Sequence, residues 1–145
     1  MDNHLDEQGH RCAEYGAPMI DGLTCWEQLR MLLNWEAQDA ALAAEHFLTV
    51  ASYNLQHPAQ FTDEALAGLP SGLSDYLEQG FSTEELRRRA AGAFAGSKRV
   101  LKDPSERQPV FHQWSMTIAD VCLPDQPHGA AERVRAWAAA IRWEQ

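Results

Sequence analysis

Hydrophobic positions recur at helical spacing along most of this chain and nowhere alternate with period two. The clearest stretch is DAALAAEHFLTVASYNLQHP, residues 39 to 58. With His46 as origin and ~100° per residue, Val50, Tyr53 and His57 fall within roughly 40° of it, flanked by Leu42, Thr49 and Phe47. The spacing predicts one amphipathic helix from Asp39 to His57. Pro58 stops it, because the residue before a proline is driven out of helical dihedrals. Two histidines and a tyrosine make this stripe more polar than an ordinary core face. His46 and His57 are separated by ~16 Å along a continuous helix at ~1.5 Å per residue. Metal–nitrogen bonds are ~2 Å, so a single ion cannot hold both.

The same spacing predicts further helices. Thr24 and Glu27 form a capping-box pattern, opening a helix with Trp26, Leu29, Leu32 and Leu33 that runs to about Ala37. Thr62 or Asp63 starts a short helix to Leu69, Pro70-Ser71-Gly72 breaks it, and Ser74 to Leu77 adds another turn or two. Ser82 and Glu85 form a second box, whose helix carries Leu86, Ala90, Phe94, Val100 and Leu101. Lys102 to Pro109 is a polar linker. Val110 to Leu123 reads as a helix with Phe111, Trp114, Ile118 and Val121 on one face. Pro124 to Pro127 ends it, and Asp125 caps a last helix bearing Val134, Trp137, Ala138 and Ile141. Residues 1–23 read as coil. The expectation is one all-α domain over 1–145, an up-and-down bundle of four to five main helices with the N-terminal coil packed on one pole.

Composition narrows the function classes. A length of 145 residues, 45% of them hydrophobic, suffices for one core. A net charge of −9, from 12 Lys plus Arg against 21 Asp plus Glu, argues against nucleic acid or a membrane as partner and leaves a protein or small molecule. No apolar run approaches the ~18 residues of a membrane span, and MDNHLDEQGHRC lacks the apolar core of a signal peptide, so cytoplasm is the expected compartment. There the odd set Cys12, Cys25 and Cys122 points to metal ligation or plain burial rather than disulfides.

Alternating helix directions bring candidate ligands together. Cys25 begins the first helix and His57 ends the second, so both lie at one pole. Counting onward, His128 in the first turn of the last helix reaches the same pole, and Cys12 joins from the coil. Two thiolates and two imidazoles are a standard tetrahedral zinc set, and such a site contributes folding free energy outright. His10 is the substitute if one ligand is wrong, with Tyr15 a further oxygen donor. The metal-free alternative has Cys25 packing as a small apolar group and His57 and His128 capping helix ends. A second constellation sets His46 and Tyr53, with Glu45 nearby, against Thr117, Asp120 or His112. It reads either as a site for proton transfer or a polar ligand, or as a satisfied buried hydrogen-bond pair.

The order Cys12-x-x-Tyr15-Gly16, Cys25, HFLTVASYNLQHP, WSMTIADV and a histidine before a Trp-bearing last helix resembles an uncharacterised bacterial family of small helical proteins. Its members carry a CxxCG knuckle and a helix of the form HxLTVxxYxLQHP. The resemblance spans nearly the whole chain and implies a domain type and a metal site, but no activity. At Tyr15 this sequence departs from the knuckle, which leaves the two-cysteine, two-histidine set. Three functions follow: a bundle with structural zinc that binds a partner or small ligand, a metalloenzyme with water at an open zinc position, or a metal-free bundle of the DinB-like type. The second lacks a hydrolase spacing such as HExxH.

Overall fold

Capping chemistry sets most helix boundaries in the computed structural model, which describes residues 12, 14, 22–93, 100–108, 111–123 and 128–144. Helix α1 spans Cys25–Trp35. Thr24 Oγ1 accepts the Glu27 N–H at 3.2 Å, and the Glu27 carboxylate accepts the Thr24 N–H at 2.9 Å. Asp39 caps α2, Ala40–Ala44, by accepting the Leu42 N–H at 3.2 Å.

The helix expected to run unbroken from Asp39 to His57 is divided at Glu45. Helix α3 is His46–Gln56. A continuous helix would direct the Ala44 carbonyl to the Leu48 N–H. Instead it accepts the hydroxyls of Tyr76 and Thr83, each at 2.8 Å. Glu45 itself leaves the helical region, at φ −95° and ψ 16°. Two side chains from later helices thus capture the carbonyl on which continuity depends.

After a 3₁₀ turn at Pro58–Gln60, Thr62, one of the two expected starts, caps α4, Asp63–Ala67, which ends before the expected Leu69. The break expected at Pro70-Ser71-Gly72 is absent. Helix α5 runs Leu69–Gln79 with Pro70 in its first turn, where the missing N–H has no helical partner to lose. Gly80 closes it in the left-handed region, at φ 75°. Helix α6, Thr83–Ala93, opens on the predicted Ser82–Glu85 box. Val100 and Leu101, placed on that helix by spacing, are exposed and off it. Leu101 forms an isolated antiparallel bridge with Phe61, flanked by Thr62 N–H to Val100 O and Lys102 N–H to Gln60 O, both 2.9 Å. Phe94 lies outside the described residues.

The helix expected over Val110 to Leu123 does not form. From residue 111 the chain is irregular, with a 3₁₀ turn at Ile118–Asp120. Six of the eight residues in FHQWSMTI, all but Gln113 and Met116, are weaker helix formers, and two of its backbone donors have distant acceptors. His112 N–H donates to the Glu14 carbonyl at 2.7 Å and Ser115 N–H to the Glu144 carboxylate at 3.0 Å. Ile118 and Val121 still reach the core, whereas Phe111 is 60% exposed. The cap proposed at Asp125 lies outside the described residues. The last helix, α7, is Ala130–Glu144.

Helix α3 is the element the others gather around, packing against α1, α5, α6 and α7. It buries Leu48, Thr49, Ala51, Ser52, Tyr53 and Gln56, more than one face of so short a helix. Among the described residues the chain is all-α, and no helix is long and apolar enough to cross a membrane.

Candidate metal centre

Two helix ends and one non-helical segment meet at one pole. Thr24 fixes where α1 begins and so places Cys25 in its first turn. Pro58 fixes where α3 ends, leaving His57 at φ −128° and ψ 54° beyond the last helical residue. Cys12 arrives from the N-terminal segment. The Cys12 Sγ, Cys25 Sγ and a His57 ring nitrogen all lie within 4.8 Å of one another. The three residues are 2%, 3% and 0% exposed.

The imidazole is oriented in a way that matters for ligation. His57 Nδ1 lies 2.8 Å from the Tyr53 carbonyl oxygen. A carbonyl only accepts, so Nδ1 carries the proton and Nε2 presents its single lone pair. That lone pair faces both sulfurs, with Cys25 Sγ at 3.3 Å and Cys12 Sγ at 3.5 Å. Tyr53 stacks on the ring at 3.9 Å between centroids and 19° between planes, which holds the plane as well as the tautomer. An Nδ1–H given to a backbone carbonyl is the usual outer-shell support of a metal-bound histidine.

The separations fit a tetrahedral ion. With Zn–S ≈ 2.3 Å and Zn–N ≈ 2.0–2.1 Å, sulfur and nitrogen on one tetrahedron stand about 3.6 Å apart. The observed pair of distances lies within about 0.3 Å of that value. One lone pair can accept only one S–H well, so two sulfurs on one Nε2 make a poor pair of hydrogen bonds but a reasonable ligand set.

Charge at the site is already biased toward binding. A hydrogen bond from the Cys25 thiol brings the Cys12 thiol from 9.0 down to about 5, against burial. Close by, Glu14 is 1% exposed. Burial pushes its carboxyl up, while the Ala59 N–H acts the other way. Nothing in the sequence except its place two residues after Cys12 signalled Glu14. Gln60, also buried, exchanges hydrogen bonds with the Tyr53 hydroxyl at 3.3 and 3.4 Å.

The structure thus unites three of the four expected ligands. His128 stands apart, exposed in the turn before α7, its carbonyl accepting from Arg133 at 3.0 Å. Its expected position was counted through a helix at 110–123 that does not form, and α7 starts only after Gly129 at φ 84°. His10 and Tyr15 lie outside the described residues. The interior group of His46, Tyr53 and Asp120 is also dispersed. His46 Nδ1 pairs with Glu36 at 2.9 and 3.0 Å, Tyr53 supports His57, and exposed Asp120 accepts the Thr117 N–H at 2.9 Å. The break at Glu45 and the irregular 111–117 segment remove the facing helices that this group required.

A family of unknown function, DUF5946, matches residues 10–144. No curated protein and no solved structure matches the chain.

Proposed function

The chain belongs to the DUF5946 family, and we propose that Cys12, Cys25 and His57 hold a zinc ion that fastens its N-terminal segment to the bundle. The observation carrying this reading is the shared Nε2, one oriented lone pair facing two thiols with its Nδ1–H committed to Tyr53. Thiolate pairs with imidazole suit zinc among the common biological cations, whereas magnesium and calcium take oxygen donors. The metal is structural in this reading, because all three donors are buried and none offers a substrate a route from the surface. A domain fastened in this way acts by binding, with a protein or small molecule as partner.

Metal analysis of tag-free protein beside Cys25→Ser tests it. About one zinc per chain is expected in the parent, with metal and thermal stability lost together in the variant. A metal-free parent whose stability is unchanged by zinc or chelator would overturn the proposal.

A further inference from the structure

We infer that Glu14 is a positioning residue that holds Cys12 in ligating reach of His57. The inference deepens the zinc reading but concerns a contact the protein makes by itself. Glu14 Oε1 accepts the Ala59 N–H at 3.0 Å. Cys12 meets His57, and Glu14 meets Ala59, two residues further along each segment. Residues 12 and 14 are therefore tied to residues 57 and 59 at two successive points. The same residue is tied on its other side, since the Glu14 carbonyl accepts the His112 N–H at 2.7 Å.

The position of Cys12 needs such a device. No helix carries it, and a three-donor site with one donor outside the helices binds only as well as that donor is held. Ala59 lies in the 3₁₀ turn begun by Pro58, where the first N–H groups have no acceptor within the turn itself. A carboxylate oxygen satisfies this buried donor and fixes the Cys12 backbone in one step. Asp and Ala are too short to do both. Gln keeps the accepting oxygen without the charge, and Met fills the space without accepting.

Two measurements on Glu14→Gln and Glu14→Met test the role separately. The first uses chelator-treated protein and follows alkylation of Cys12 by iodoacetamide with peptide mapping, so no metal is involved. Met should accelerate Cys12 alkylation about tenfold, the factor by which losing one buried hydrogen bond shifts a local opening, while Cys122 stays protected and Gln leaves the rate near that of the parent. The second titrates cobalt(II) and reads the thiolate-to-cobalt charge-transfer band. Met should weaken binding about 10- to 100-fold, the usual cost of losing an outer-shell partner, and Gln should restore it with the parent spectrum. Parent-like alkylation in Met would overturn the positioning role. A Gln variant as impaired as Met would also overturn it, pointing to the charge instead. A parent that takes up no cobalt would sink the zinc reading alone, with the alkylation result still deciding the role of Glu14.

Discussion

Gln56 offers the sharpest stability test, because both ends of its carboxamide are used inside the protein. It is 1% exposed at the last residue of α3. Its Oε1 accepts the indole N–H of Trp137 at 3.0 Å, and its Nε2 donates to the Met116 carbonyl at 2.8 Å. Gln56→Leu keeps similar volume and removes both partners. Trp137 is fully buried, so its orphaned N–H costs about 1–3 kcal/mol. Met116 is half-buried and its carbonyl can turn to water, so the loss there is the ordinary net worth of one hydrogen bond, about 1 kcal/mol. The added apolar surface of leucine returns on the order of 1 kcal/mol. The net loss is about 1–3 kcal/mol, or roughly 3–10 °C in Tm for a chain of this size. Urea and thermal unfolding followed by far-UV circular dichroism, in one defined metal state, measures it. Trp137→Phe added to the Gln56→Leu variant should then cost at least about 1 kcal/mol less than in the parent, since the orphaned donor is gone. A Gln56→Leu protein as stable as the parent, or strictly additive costs in that cycle, would refute the reasoning.

Three other outcomes follow from the packing and from the titrating groups. A Cβ at Gly72 would lie 2.7 Å from Phe47 Cζ, and that ring is stacked on Tyr76, so Gly72→Ala should destabilise by about 1–3 kcal/mol in the same unfolding assay despite better helix propensity. Burial and hydrogen bonding to Glu45 raise the Tyr76 phenol from 10.0 to about 12. The folded protein therefore keeps this proton longer than the unfolded chain, and the contribution is complete below pH 10 and lost as pH rises towards 12; ultraviolet titration of Tyr76→Phe against the parent checks the shift. Burial also takes the Cys122 thiol up to about 11, so Ellman's reagent should find it unreactive at neutral pH until denaturant is added.

Local chemistry made much of the fold legible. Thr24 with Glu27 and Ser82 with Glu85 satisfy the N–H groups they were expected to satisfy, and Asp39 and Thr62 cap at the helix starts that the sequence marks. These caps involve partners three residues away, so the sequence window contains the whole interaction. The errors occur where the deciding partner is remote. The hydroxyls that divide α2 from α3 come from Tyr76 and Thr83, more than thirty residues on. Residues 111–117 have helical spacing of their apolar groups, yet their donors go to Glu14 and to Glu144. No periodicity in the segment itself reports those acceptors.

The fate of the four expected ligands follows the same division. Cys25 and His57 depend on two neighbouring boundaries, one set by Thr24 and the other by Pro58, and both boundaries are local. Consecutive helices then bring a start and an end to one pole whatever happens later in the chain. His128 depended on every intervening segment, and one misread element was enough to misplace it. Cys12 depended on no helix at all. It reaches the site because Glu14 ties its segment to Ala59 and His112, a connection between two non-helical stretches that amphipathic patterning does not describe. The centre is thus anchored by caps on the helical side and by a buried carboxylate on the other. On this account the two sides are held separately: a chelator should leave α1 and α3 intact by circular dichroism and leave the amides of Ala59 and His112 protected, because Glu14 still ties them. Free exchange of those two amides once zinc is removed would show that the ion, and not Glu14, holds the N-terminal segment.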